Sequence, residues 1–341
     1  MKRLELVIVQ FEEIKGLIKA DRIPQLRLAH ILLDSAVELI MHRMIRAELH
    51  GERYDFDRLE TLRRIEVDRQ SEDPRLRRFA TRGPSSDNIR AEIERLAEKV
   101  TSRSQRRDIG RDFGRKIDFL AGRKKLPEDL GPVLKRLHEY RNETYHRDQH
   151  RIEVIRPAVL IYFDAACTVL DRYEPGVLID SHLLGPELER FQADLPSRTD
   201  WFELPRRAAK RLREEVGLDL TAVRTALVDH LVGRLYDLES GLTYIEENIT
   251  GGAIPGDGIR AMQVKRDDVE AIFDNDVMRS RPYPLTMNDV RSWTERAKSM
   301  NGLEDKRALF TEFAALEHAF EDLERKVLDA VWRIDEQANT R

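Results

Sequence analysis

The sequence predicts an all-α protein, and three observations carry that prediction. Apolar residues recur at spacings of three and four along nearly every segment, and no pair of segments alternates with the period of two that strands need. The chain is 36% charged, 41% hydrophobic and 7% aromatic, a mixture that suits long amphipathic helices with ion-paired outer faces better than a β-sandwich. Helix breakers such as Pro24, Gly51 and the Pro175-Gly176 pair fall at the ends of periodic segments.

Taken in order, residues 3–19 form a first helix. Pro24 opens the second, because proline is preferred in a first helical turn, and Gly51 closes it. This second helix is apolar almost all round except for the stripe His30, Asp34, Glu38 and His42, as expected of a helix central to a bundle. The stripe reads as a solvated or salt-bridged face, or else as the lining of a cleft. Residues 52–130 read as an Arg-rich insertion holding the breaker Arg82-Gly83-Pro84, one clear helix at 87–101 and a basic stretch through Gly110, Gly114 and Gly122. Helices follow at 128–146 and 151–173, the latter carrying Ile155, Val159, Ile161, Tyr162, Ala166 and Leu170.

With 341 residues and a usual domain size of roughly 100–200, about two domains are expected. The boundary is placed at Pro175-Gly176, giving a bundle at 1–175 and a second helical domain at 176–341. In the latter, Leu231, Leu235, Leu238, Leu242, Ile245 and Ile249 alternate spacings of four and three, as do Phe313, Leu316, Phe320, Leu323 and Val327. These heptad-like helices are expected to pair as a long antiparallel hairpin. Trp201, Trp293 and Trp332 read as packing residues. The glycines at 251–258 follow no strand, which argues against a phosphate-binding loop.

Net charge is −4, so the whole chain is not a cationic nucleic-acid binder. Residues 58–125, however, hold 20 Lys/Arg against 12 Asp/Glu, an excess of eight that leaves the remainder twelve units negative. That basic block reads as a phosphate-facing surface or as solvated helix faces with i,i+4 ion pairs. Cys167 is the only cysteine, which rules out an intrachain disulfide and a Cys-rich zinc site; its apolar neighbours suggest a buried structural thiol. The acidic first turn argues against a signal peptide. The most apolar stretch, 28–45, is too polar to span a bilayer, so a soluble, cytoplasmic protein with no membrane partner is expected.

The segment that carries chemistry is Leu134 to His146. On a helical wheel Val133, Leu137, Tyr140 and Thr144 form a core face, and Arg141 sits at its edge. His138, Asn142 and His146 run away from that face as an i,i+4,i+8 stripe, expected to meet a cleft or a partner. An imidazole can take a 2′-hydroxyl proton or protonate a leaving oxygen. A guanidinium can hold a phosphate through two N–H groups and stabilise developing charge. An Asn amide can fix the imidazole or donate to a phosphate oxygen. No metal is needed when the RNA 2′-hydroxyl is the nucleophile, and DNA lacks that group.

Arg141-Asn142-Glu143-Thr144-Tyr145-His146 resembles the R-[N/D/H]-x3-H motif of the HEPN superfamily, higher eukaryotes and prokaryotes nucleotide-binding domains. The resemblance covers roughly residues 1–175, with 52–130 as an insertion, and not the C-terminal half. It implies a HEPN-like bundle acting as a metal-independent endoribonuclease whose site forms at a homodimer interface. It also implies a 2′,3′-cyclic phosphate product, and a role as toxin or antiphage effector under an antitoxin or other protein regulator. Carried over, Arg141 binds phosphate, His146 is the acid/base and Asn142 positions. Asp34 and Glu38 are candidates for orienting Arg141 or His146, with His138 as a further supporting residue. Arg103, Arg106, Arg107, Arg111, Arg115 and Lys116 are the candidate RNA contacts from the basic block. Where one branch of that superfamily carries a modified Tyr two residues after the His, this chain has Asp148, which speaks against regulation by that route.

No cofactor is expected. Glu143 and His146 make the chain's one E-x2-H spacing, with His150 one turn on, whereas di-metal bundles need two such motifs. A non-catalytic RNA-binding or protein-interaction scaffold is the alternative to the ribonuclease, and a metal-dependent helical enzyme a third reading.

Overall fold

The computed structural model describes residues 2–70, 72–75, 77, 86–146, 154–174, 203–249 and 251–339. The expected boundary at Pro175-Gly176, the Arg82-Gly83-Pro84 breaker, Trp201 and the side chain of His146 lie outside the described residues. Among those described, every regular element is a helix and none is a strand. No helix is long and apolar enough to cross a membrane.

The chain divides into two compact units. The first comprises residues 1–20, 28–142 and 162–216. Its elements are α1 (Lys2–Ala20), most of α2 (Ile23–Gly51), α3 (Arg53–Arg69), α4 (Ser86–Lys99), α5 (Arg103–Arg111) and α6 (Phe113–Gly122). It continues through α7 (Leu130–His146) as far as Asn142, α8 (Ile155–Asp171) from Tyr162, and α9 (Leu204–Val216). The helix at 204–216 belongs here because it packs on α1, with Lys15 paired to Glu215. Lys15 and Arg211 together hold the Glu215 carboxyl down at about 2.

The core of this unit is built by α1, α2, α7 and α8. Val7, Ile8, Phe11 and Ile14 of α1 and Leu33, Val37 and Ile40 of α2 are buried at almost no exposure. Phe11 packs edge-on against Phe163 at 5.8 Å. Cys167 is buried in α8, as its apolar neighbours predicted.

Residues 52–130 are more helical than expected, and part of them enters the core. The Gly-spaced stretch forms α5 and α6. Ser102 starts α5 through a capping box with Gln105, and Asp112 caps α6 by accepting from the Arg115 amide at 2.6 Å. Phe113, Ile117 and Leu120 are buried. Separately, α3 and α4 close a small core of Leu59, Leu96 and Val100 with Phe56, Leu62 and Ile93 around it. Glu52 ties the two parts together. It accepts from the Thr101 amide at 3.0 Å, from Arg106 at 3.1 Å and from Arg123.

The second unit is residues 217–341 with 21–27 and 143–161, and an Arg156–Asp21 pair at 2.7 Å joins the two shorter segments. Its long helices are α10 (Leu220–Glu247), then α14 (Met287–Ser299) and α15 (Lys306–Asn339), with three short helices between: α11 (Asp257–Ala261), α12 (Val269–Phe273) and α13 (Asn275–Ser280). The expected antiparallel hairpin is wrong: α10 and α15 run parallel. Arg224 donates to the Leu303 carbonyl at 3.1 Å, Arg234 to Glu324 at 2.8 Å, and Tyr244 to Asp335 at 2.7 Å, so both numbers rise together. The chain returns through α14, which opposes α15: Trp293 meets Phe320 while Arg296 meets Glu312 further back. Trp293 is a packing residue, but Trp332 is 61% exposed, contrary to expectation.

Close approach of α10 and α15 requires glycine at 241, where a Cβ would lie 2.6 Å from Val327 Cγ1. Gly241→Ala is expected to lower stability by about 1–3 kcal/mol through overpacking. In a Val327→Ala background much of that loss should vanish, because the two changes share one contact. Additive losses in urea titrations of the four proteins would contradict the parallel pairing described.

Candidate functional site

The site is organised by one carboxylate. Asp34 sits in the middle of α2 at 2% exposure, where an unpaired charge would be costly. Three side chains from two other helices satisfy it. His138 of α7 donates from Nδ1 to Asp34 Oδ1 at 2.8 Å. Tyr162 of α8 donates its hydroxyl to the same oxygen at 2.7 Å. Arg141, one turn beyond His138, brings Nε to 3.5 Å from Oδ2. Burial, reinforced by the Asp34 charge, raises the Tyr162 hydroxyl well above its ordinary value and keeps it a donor.

Three of the four residues that the helix wheel of α7 placed on its core face are described, and the side chain of Thr144 lies outside the described residues. Val133, Leu137 and Tyr140 are buried, and Arg141 sits at the edge with 26% of its side chain exposed. The reading of His138 as part of an outward stripe is corrected. Its ring lies flat on Phe113 of α6, centroids 4.0 Å apart and planes within 6°, leaving the side chain 23% exposed. The sequence stripe faced a neighbour that the basic stretch itself supplies. Asn142 follows and accepts at Oδ1 from Arg141 Nη1 at 3.0 Å. His146 ends α7, with its side chain outside the described residues.

The stripe on α2 divides in two. His30 and Asp34 are buried, so they are not a solvated face. Glu38 turns from the expected role beside Arg141 to accept from Lys116 Nζ at 2.9 Å. His42 is exposed, and with Ser35, Glu38 and Lys116 it lines a groove of about 270 Å³.

The candidate RNA contacts also divide. Lys116 is corrected: its side chain is 3% exposed and committed to Glu38, because α6 packs this face inward. Arg106 is likewise an internal strut, bonded to Glu52 and the Thr101 carbonyl and lying 3.9 Å over the Phe56 ring. Arg103 pairs with Glu60 but stays 75% exposed. Arg107 lies 3.9 Å from Asp108 and is 64% exposed. Arg111 and Arg115 are exposed and make no ion pair among the described residues. Arg115 borders a groove of about 600 Å³ also lined by Lys99, Phe119 and Arg123.

Sequence reasoning missed Tyr162 and Phe113, and read His30 only as a member of the α2 stripe. Tyr162 was counted as a core residue, although a hydroxyl in so apolar a helix needs a partner. His30 donates from Nε2 to the Leu137 carbonyl at 2.9 Å, while its Nδ1 is buried with no hydrogen-bond partner among the described residues. Its ring stands edge-on to Tyr162 at 5.4 Å. Among the described residues no three His, Cys, Asp or Glu side chains gather as a metal site would require. Comparison of the chain with protein-family profiles, curated proteins and solved structures finds no match.

Burial pushes the His30 imidazole down from its ordinary 6.5 to about 4. The unfolded chain therefore binds this proton more readily between those values, and stability is complete above pH 6.5 and falls as pH drops toward 4. The loss from this group is about 3 kcal/mol. His30→Gln should flatten the dependence of the urea midpoint between pH 7.5 and 4.5; an unchanged slope would mean that other groups carry it. Asp34→Asn, which leaves Arg141 and His138 without their shared anion, should cost about 3–5 kcal/mol at pH 7.5, read by the same titration.

Proposed function

We propose that the chain is a metal-independent endoribonuclease, with Arg141, Asn142 and His146 as its reacting set and a second copy of the chain completing the cleft. The observation that carries the reading is the anchoring of Arg141. Its guanidinium leans on the buried Asp34 from behind and on Asn142 at its side, and keeps part of its surface open. A guanidinium fixed in this way is pre-oriented to meet a phosphate without losing side-chain freedom on binding. His146 lies five residues further along the same helix, where it serves as acid or base for the 2′-hydroxyl or the 5′ leaving oxygen. Arg103, Arg107, Arg111 and Arg115 are the exposed cations of the basic block that would take flanking phosphates. Lys116 and Arg106 have no part in that surface.

The motif's resemblance to HEPN ribonucleases supports the same reading, including toxin or defence activity under a protein regulator. A non-catalytic RNA-binding scaffold is the second reading. It is favoured by the inward commitment of Asp34 and His138, which would stabilise the bundle with or without chemistry.

The test is total RNA incubated in EDTA with wild type, Arg141→Ala and His146→Ala. Wild type should fragment RNA to products ending in 2′,3′-cyclic phosphate, and each variant should lose at least 100-fold. RNA that stays intact with wild type, while salt-sensitive binding persists, would favour the scaffold.

A further inference from the structure

We propose that His138 is a second acid–base group of this site, the base that takes the 2′-hydroxyl proton. The inference rests on the ribonuclease reading and assigns a role that the Arg141–His146 motif does not contain. Three observations lead to it.

The first is tautomer control. A carboxylate oxygen only accepts, so the 2.8 Å bond to Asp34 requires the proton on Nδ1 of His138. The neutral ring then carries its lone pair on Nε2, the nitrogen that can act as a base. A buried carboxylate behind Nδ1 is the arrangement that orients an imidazole and stabilises the imidazolium once it forms. Asp34 is itself fixed by Tyr162, which holds Oδ1 from the other side at 2.7 Å.

The second is orientation without burial. Phe113 stacks on the ring face at 4.0 Å and fixes its plane. The side chain nevertheless keeps 23% of its surface open, unlike His30 at 1%. His30 makes a useful contrast: its accepting nitrogen is sealed in the core, and its Nε2 is spent on a backbone carbonyl.

The third is proximity to the phosphate-binding group. His138 and Arg141 approach the two oxygens of one carboxylate, and they stand three residues apart on α7. A phosphate on the Arg141 guanidinium therefore brings its adjoining ribose to the neighbourhood of the His138 ring. The O2′ proton passes to His138 Nε2 as the O2′–P bond forms. The P–O5′ bond breaks, and the departing O5′ takes a proton from the His146 imidazolium. Solvent then returns each imidazole to its starting state, with no oxidant, reductant or further reactant.

The charged and titratable groups around His138 are Asp34 and His30 from α2, Arg141 from α7 and, through Asp34, Tyr162 from α8. Phe113 from α6 carries no charge. The pH profile of cleavage is therefore read together with variants. In wild type the rate should fall at acid pH as the base becomes protonated. His138→Gln should lower kcat at least 100-fold and abolish that acid limb. His138→Ala should do the same and regain rate as free imidazole is added, which a purely structural role would not produce.

If Arg141→Ala stops cleavage while His138→Gln cleaves with the wild-type profile, the role of His138 is overturned and the ribonuclease reading stands. If wild type leaves RNA intact, both fall. Should circular dichroism show both His138 variants unfolded, the sequentially assigned ¹⁵N spectrum of wild type decides. A proton on Nδ1 is expected, as the bond to Asp34 requires, and a ring whose only proton sits on Nε2 overturns the proposal.

Discussion

The candidate site of the first unit is organised around a carboxylate kept out of water. Asp34 has two oxygens and accepts from or pairs with His138, Tyr162 and Arg141, so that α2, α7 and α8 are cross-linked at one point. Taking a carboxylate from water is expensive, and only a nearly complete set of donors offsets the cost. The same necessity that closes the bundle also fixes a guanidinium and an imidazole in defined positions. Stability and orientation are here one interaction, and no separate scaffold is needed to hold the candidate groups.

The packing of the basic stretch on His138 and Glu38 explains which parts of the fold were legible in the sequence. Helical periodicity marked α1, α2, α7 and α8 because each has its own apolar stripe. It placed Val133, Leu137 and Tyr140 inward and Arg141 at the edge. It could not place His138, because what covers that residue is Phe113, which lies between Gly110 and Gly114 in a run of cations. Lys116 was misread for the same reason. Its charge suggested solvent, but its position one turn after Phe113 puts it inside, where Glu38 neutralises it. A polar residue's direction depends on what packs over it, and that information is not local.

The second unit shows a different limit. Heptad spacing identified α10 and α15 as partners, with Leu231, Leu235, Phe313 and Phe320 all buried. Spacing, however, is blind to direction, since apolar stripes at a and d positions match in either sense. What decides the direction is the intervening chain. It runs through three short helices and back along α14, so α15 starts level with the start of α10. Buried Asp257, clamped by Arg260 at 2.8 Å and Arg279 at 2.7 Å, pins the turn of that route.

The parallel pairing has a consequence for how the chain reaches its fold during synthesis. Arg234 and Glu317 are 83 residues apart in sequence, so α10 leaves the ribosome with its partner still unmade. At roughly 5–20 residues per second, the apolar face of α10 waits several seconds for α15. In that interval α14 is the first long helix available to cover it. That return helix stays packed on α10 in the finished fold, so it can cover part of the α10 face before α15 is translated.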